Sequence, residues 1–164
     1  MTKEIPLTQG KFAIVDDEDY EYLNQFKWCA HWHDDIKQYR AVRNNTYRVY
    51  PRTISMNRII IGAGSNAQVD HINGNTLDNR RCNLRVCNNA ENNRNRWLQS
   101  NNKSGYKGVC WNKKSKGWEV QIKVFGKKKH GGIFKSKVIA ALKYDQMAKD
   151  NFGEFARINF PAYI

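Results

Sequence analysis

The sequence predicts an α+β protein built from two small units. Three observations carry that expectation. The chain has 164 residues; its apolar positions fall in short period-2 runs and only one long helical stripe; and a polar stretch near residue 97 separates two patterned regions. At this length each unit has a thin core of its own, and one large buried core is not expected.

The first region, residues 3–61, reads as short strands around KFAIV, KWCAHWH, YRAVR and RTISMNRII, with one amphipathic turn of helix at EDYEYLNQF. From about residue 67 the character changes. Val69-Asp70-His71-Ile72 alternates as a strand does, and Asn73-Gly74 is a strong hairpin-turn signal. The run NNAENNRNRW is expected as a polar helix, although asparagine is a poor helix former. Residues 97–104, WLQSNNKS, have no periodic apolar pattern and read as a linker. A second unit, residues 105–164, reads as a three-stranded antiparallel sheet packed on one helix. In its middle strand Trp118, Val120, Ile122 and Val124 share one face while Glu119, Gln121 and Lys123 share the other. Ser136 is placed to cap a helix whose Ala140, Ala141, Tyr144, Met147, Ala148 and Phe152 form one stripe, and Gly153 suits its end. The alanines let this helix lie close on the sheet.

Charge narrows the partners. Lys and Arg number 28 against 15 Asp and Glu, a formal charge of +13, which favours a polyanion and makes nucleic acid the expected partner. Residues 1–35 hold eight of the acids and three lysines, so the remainder is at +18 (25 basic minus 7 acidic). No stretch approaches the roughly 20 apolar residues of a membrane span, and the N-terminus lacks the apolar core of a signal peptide. A cytoplasmic location without a membrane partner is expected. Cys29, Cys82, Cys87 and Cys110 form no CxxC pair, which argues against a zinc ribbon or redox motif and for reduced, mostly packed thiols.

The chemistry concentrates in DHINGNTLDNRRCNLRVCNNAENNRNR, residues 70–96. An Asp before a turn commonly bonds its own backbone, so Asp70-His71 alone is weak. The hairpin, however, sets this pair at its end, the connecting loop supplies Asn83, and Asn92 stands on the following helix. Oxygen ligands from Asp70 and Asn92 leave most of a six-coordinate shell for phosphate oxygens and water, which suits a hard divalent ion. His71, with an ordinary pKa near 6.5, is available at pH 7 to take a proton from an attacking water. That outlines a hydrolytic phosphodiesterase. Arg80, Arg81, Arg85, Arg94 and Arg96 are candidate phosphate contacts, since guanidinium forks match phosphate oxygens; a solvated surface charge explains any one of them as well.

DH, then N in RRCNLR, then N in AENN resembles the HNH (His-Asn-His, beta-beta-alpha-metal) nucleases, and particularly the phage and intron-associated homing endonucleases; the similarity extends upstream through VDDEDY and MNRII. The resemblance implies an HNH nuclease domain over residues 1–96 with its core motif at 67–96. It further implies His71 as general base, Asp70 and Asn92 as metal ligands, and Asn83 as the residue that braces the loop and orients the base. Asn92 stands where the family name expects a third histidine. This H-N-N variant lacks the nitrogen ligand and favours one Mg2+ or Mn2+ ion over Zn2+ or Ni2+. Asn93 is the alternative ligand if the helix register differs by one. Asn57 stands where relatives often show His.

Between Lys103 and Lys129 the chain has nine lysines and one acid, Glu119. GYKGVCWNKKSKGWEVQIKVFGKKKHGGIF with AALKYDQMAKDNFGEFARINF resembles the plant-type ethylene-response-factor (Apetala-two) DNA-binding domain. That family lays its sheet in the major groove. The matching positions are Lys107, Trp111, Gln121, Lys123 and His130; Cys110 stands where arginine is usual. Trp118, Tyr144 and Phe152 are expected in the core. The expected whole is a monomeric, metal-dependent homing-type endonuclease that nicks double-stranded DNA at preferred sites. Its rivals are a non-catalytic DNA-binding regulator and an RNA-binding module, the latter disfavoured because A-form RNA hides the groove such a sheet would enter.

Overall fold

A computed structural model describes residues 1–45, 51–64, 66–95, 98 and 101–161. Arg96, expected as a phosphate contact, and Trp97, Gln99 and Ser100 of the expected linker lie outside the described residues. The chain divides into two compact units, Met1–Asn92 and Asn93–Ile164. Among the described residues no helix is long and apolar enough to cross a membrane.

The first unit opens with an antiparallel hairpin of β1 (Thr2–Pro6) and β2 (Phe12–Asp16), followed by α1 (Asp17–Leu23). Asp17, Glu18 and Asp19 fill the first turn of α1, where carboxylates suit the positive end of the helix. Strands β3 (Cys29–His33), β4 (Gln38–Asn44) and β5 (Thr53–Ser55) form a second antiparallel sheet in that order. The segment RTISMNRII departs from its expected strand: only Thr53–Ser55 is extended, and Met56–Ile61 is helix α2. Met56 and Ile60, four apart, are both buried on one helical face, and Gly62 ends the turn at φ 64, a conformation that glycine adopts without a Cβ clash. Ile5, Val15, Leu23, Trp28, Ala41, Met56, Ile60 and Leu84 form the core of this unit.

The last part of this unit is a hairpin, β6 (Gln68–His71) with β7 (Leu84–Cys87), followed by α3 (Asn89–Arg94). Helix α3 begins with a reciprocal cap: Asn88 Oδ1 accepts from the Glu91 amide at 2.9 Å and Glu91 Oε2 accepts from the Asn88 amide at 2.9 Å.

The second unit holds β8 (Val109–Asn112), β9 (Gly117–Val124) and β10 (Lys127–Phe134) in the antiparallel order β10-β9-β8, with α4 (Lys137–Phe152) against one face. Val109, Val120, Ile122 and Val124 meet Ala140, Ala141, Tyr144 and Ala148 in its core. The close approach needs glycine: a Cβ on Gly131 would stand 2.5 Å from Met147 Sδ. Ser136 caps α4 by accepting from the Ile139 amide at 3.4 Å, and Gly153 follows its last residue. Buried Asp145 ties the following segment down, accepting from the amides of Asn159 (2.7 Å) and Phe160 (2.9 Å). Residues 102 and 104 of the expected linker are hydrogen-bonded into this unit, since Asn102 Nδ2 and Ser104 Oγ both donate to the Tyr106 carbonyl. The four cysteines are free, yet only Cys87 is packed; Cys29, Cys82 and Cys110 are exposed.

Candidate active site

The residues of the β6–β7 hairpin divide by strand alternation. Val69 and His71 share one side with Leu84, and Leu84 and Val69 belong to the core. Gln68 and Asp70 share the other side with Arg85 and Cys87. His71 and Asp70, adjacent in sequence, therefore leave the strand on opposite faces at its end.

His71 is buried, and its Nε2 lies 3.2 Å from Asn79 Oδ1. The Asn79 amide has one orientation, because its Nδ2 donates to the Leu77 carbonyl at 3.3 Å and leaves Oδ1 toward the ring. An accepting Oδ1 puts the proton of the neutral ring on Nε2, so that Nδ1 carries the lone pair. Burial lowers the His71 pKa from its ordinary value; the Asn79 bond opposes this, and the charge of Arg40 adds to the lowering. The imidazole is neutral at pH 7.

The loop that holds Asn79 is anchored to both earlier sheets. Ile14 of β2 exchanges backbone bonds with it, Ile14 N to Leu77 O at 2.8 Å and Asn79 N to Ile14 O at 2.7 Å. Thr76 Oγ1 donates toward the Tyr39 carbonyl (2.5 Å) and lies 3.0 Å from Gln38 Oε1 on β4. Arg40 shares the Gln38 side of β4 and is partly buried, and its guanidinium makes no hydrogen bond or ion pair among the described residues. Asn83 closes the loop from inside: its Oδ1 accepts from the Asn73 amide at 2.9 Å and its Nδ2 donates to the Asp78 carbonyl at 2.7 Å. Asn83 thus braces the loop, while the side chain facing the histidine is Asn79, which the sequence analysis did not single out.

On the other face, the buried Asp70 carboxylate accepts from Arg85 Nε (3.1 Å) and Nη2 (2.8 Å). Asn92 Nδ2 donates to Gln68 Oε1 at 2.7 Å, so its amide is turned toward the strand face that Gln68 shares with Asp70; its Oδ1 accepts no hydrogen bond among the described residues. Asn93 is exposed. Among the described residues no three His, Cys, Asp or Glu side chains cluster as a metal site; a cation here would take one carboxylate and amide oxygen.

Three of the arginines expected at phosphate grip carboxylates of this chain. Arg80 grips buried Asp78 with Nε (2.7 Å) and Nη2 (2.6 Å), Arg81 grips Asp19 and Glu18 of α1, and Arg85 holds Asp70. Arg94 lies over the Phe152 ring at 4.5 Å.

In the second unit, Glu119, Gln121 and Lys123 lie on the sheet face away from α4, joined by Lys128 and His130 of β10. Trp111 belongs to the opposite side with Val109 and packs edge-on against Trp118, ring centroids 5.1 Å apart. Lys107 precedes β8, is partly buried, and donates to the Arg94 carbonyl; burial lowers its pKa to about 8. Of the expected base contacts, the fold therefore brings Gln121, Lys123 and His130 together and not Lys107 or Trp111.

A family model described as HNH endonuclease matches residues 64–94, the segment of β6, β7 and α3. The match supports an HNH nuclease, a hydrolase for which DNA is the implied substrate. Neither a curated protein nor a solved structure matches the chain.

Proposed function

We propose that the chain is a metal-dependent DNA endonuclease of the HNH homing type, which nicks double-stranded DNA as a monomer, with Asp70 and Asn92 as ligands of one Mg2+ or Mn2+ ion. The observation that carries this proposal is a buried His71 whose Nε2 is bonded to Asn79, adjacent in sequence to a buried carboxylate whose strand face also receives Asn92. The donor set is that of a hard cation, one carboxylate and one amide oxygen: Arg85 holds Asp70 Oδ2, so an ion would share the carboxylate with the guanidinium and take the Asn92 oxygen beside it. When bound, such an ion supplies positive charge to the oxygens of the scissile phosphate and the leaving 3′ oxygen.

In this mechanism His71 takes a proton from the attacking water at Nδ1, while Asn79 accepts from Nε2 and stabilises the charged ring that results. Asn83 keeps the loop, and with it the base, at working distance. The lysine-rich sheet face of the second unit binds the duplex. Manganese binding followed by electron paramagnetic resonance tests the ligand set: one site in the wild type, and none in Asp70→Ala or Asn92→Ala, is the expected result. Unchanged manganese binding in both variants would reject these ligands. A protein that binds duplex DNA but cuts none with either metal would be a regulator on a nuclease scaffold.

A further inference from the structure

A single carboxylate stands in the middle of the basic sheet face, where it opposes phosphate, and both its oxygens are occupied. Glu119 Oε1 accepts from Gln121 Nε2 at 2.6 Å and faces His130 Nε2 at 2.9 Å, while Oε2 accepts from Asn112 Nδ2 at 2.7 Å. These bonds, that from Gln121 first, lower the Glu119 pKa and keep it anionic.

His130 has no ring nitrogen left over. The bulge between His130 and Gly132, with Gly132 at φ 109, lets the Gly132 amide donate back to His130 Nδ1 at 3.2 Å. The proton of the neutral ring is then on Nε2, directed at Glu119. His130 is a positioning residue for the carboxylate.

The consequence falls on Gln121. An anion beside one end of its amide admits only the NH2 group there, so the carbonyl Oε1 is directed away from Glu119; it accepts no hydrogen bond among the described residues. Lys123 follows on the same face, and Lys128 faces it from β10. The major groove admits a β-ribbon, and there cytosine N4 and adenine N6 are donors whereas guanine O6 and thymine O4 are acceptors.

We infer that Gln121 is a specificity residue that presents a fixed acceptor to the amino group of one base, cytosine or adenine, and that Glu119, held by Asn112 and His130, sets this choice of amino over oxo. The inference rests on the proposal that this sheet face binds duplex DNA.

The test is binding of the full chain in EDTA to a randomised duplex library, followed by duplexes substituted at each preferred position. The wild type should show one position where C or A exceeds G or T by roughly tenfold. Gln121→Leu should erase the preference there and leave the others. Glu119→Gln removes the anion, lets the Gln121 amide turn, and should admit G or T at that position; a merely structural Glu119 would weaken all sequences alike. Preferences unchanged in Gln121→Leu, or uniformly weaker binding with the same preferences in Glu119→Gln, would overturn the inference while DNA binding stands. No duplex binding by the wild type would instead remove the proposed function on which it rests.

Discussion

The two units use their positive charges in opposite ways. Met1–Asn92 contains 12 Lys and Arg against 11 Asp and Glu, a net +1, whereas Asn93–Ile164 contains 16 against 4, a net +12. In the first, Arg80, Arg81 and Arg85 each grip a carboxylate, and α1 supplies two of those partners. These pairs shape the loop and the hairpin, and they produce little outward field. In the second, Lys123 and Lys128 stand exposed on one sheet face around a single acid that is itself bonded on both oxygens. A cluster of arginines beside a candidate site is therefore weak grounds for a phosphate surface; the location of acids that can reach them decides.

Three variants sharpen that contrast. The largest effect is expected where loop closure depends on one side chain: Asn83→Ala strands the Asn73 amide and the Asp78 carbonyl, and should cost about 2–3 kcal/mol in denaturant unfolding. A loss within 0.5 kcal/mol would mean that the loop holds without it. Next, replacing Lys123 and Lys128 by Gln should lower duplex affinity about tenfold at physiological salt and reduce the slope of log K against log[salt] by about two. An unchanged slope would place those lysines away from phosphate. The smallest effect concerns Lys107, whose folded pKa of about 8 lies below the ordinary 10.5. Between those values the unfolded chain binds more protons, so stability rises with pH; below about 8 the penalty of burying the charge is fully present. Lys107→Met should raise the melting temperature at pH 7 by a few degrees, with the gain shrinking above pH 8.

Much of this arrangement was legible in the sequence where local signals agree. The alternation of Trp118 to Val124 marked a strand with two distinct faces, and Ser136 with Gly153 bounded the long helix; Asn73-Gly74 marked a real turn, but it only opens the loop of residues 72–83 that joins the two strands of the β6–β7 hairpin. Strand β1 was missed because TKEIP has a single buried apolar residue, Ile5, and its partner is β2. Helix α2 was read as strand because Ile59, Ile60 and Ile61 favour extension in isolation, and packing of Met56 and Ile60 overrides this. In the site, Asp70, His71, Asn83 and Asn92 were named from their places on the hairpin, loop and helix together with the resemblance to HNH nucleases. Asn79 was not: nine asparagines crowd residues 73–95, and which one meets the histidine depends on the loop bonding to Ile14, a contact 65 residues away in sequence. The acid partners of Arg81 are equally remote, at Glu18 and Asp19.

The central claim is that His71 performs chemistry and not binding. Supercoiled plasmid incubated with Mg2+ and the wild-type chain should accumulate relaxed circles well before linear DNA, and His71→Ala should reduce that nicking by roughly two to four orders of magnitude while its duplex affinity in EDTA stays within about twofold of wild type. Undiminished nicking by His71→Ala, at matched protein concentration and with the same metal, would contradict the account.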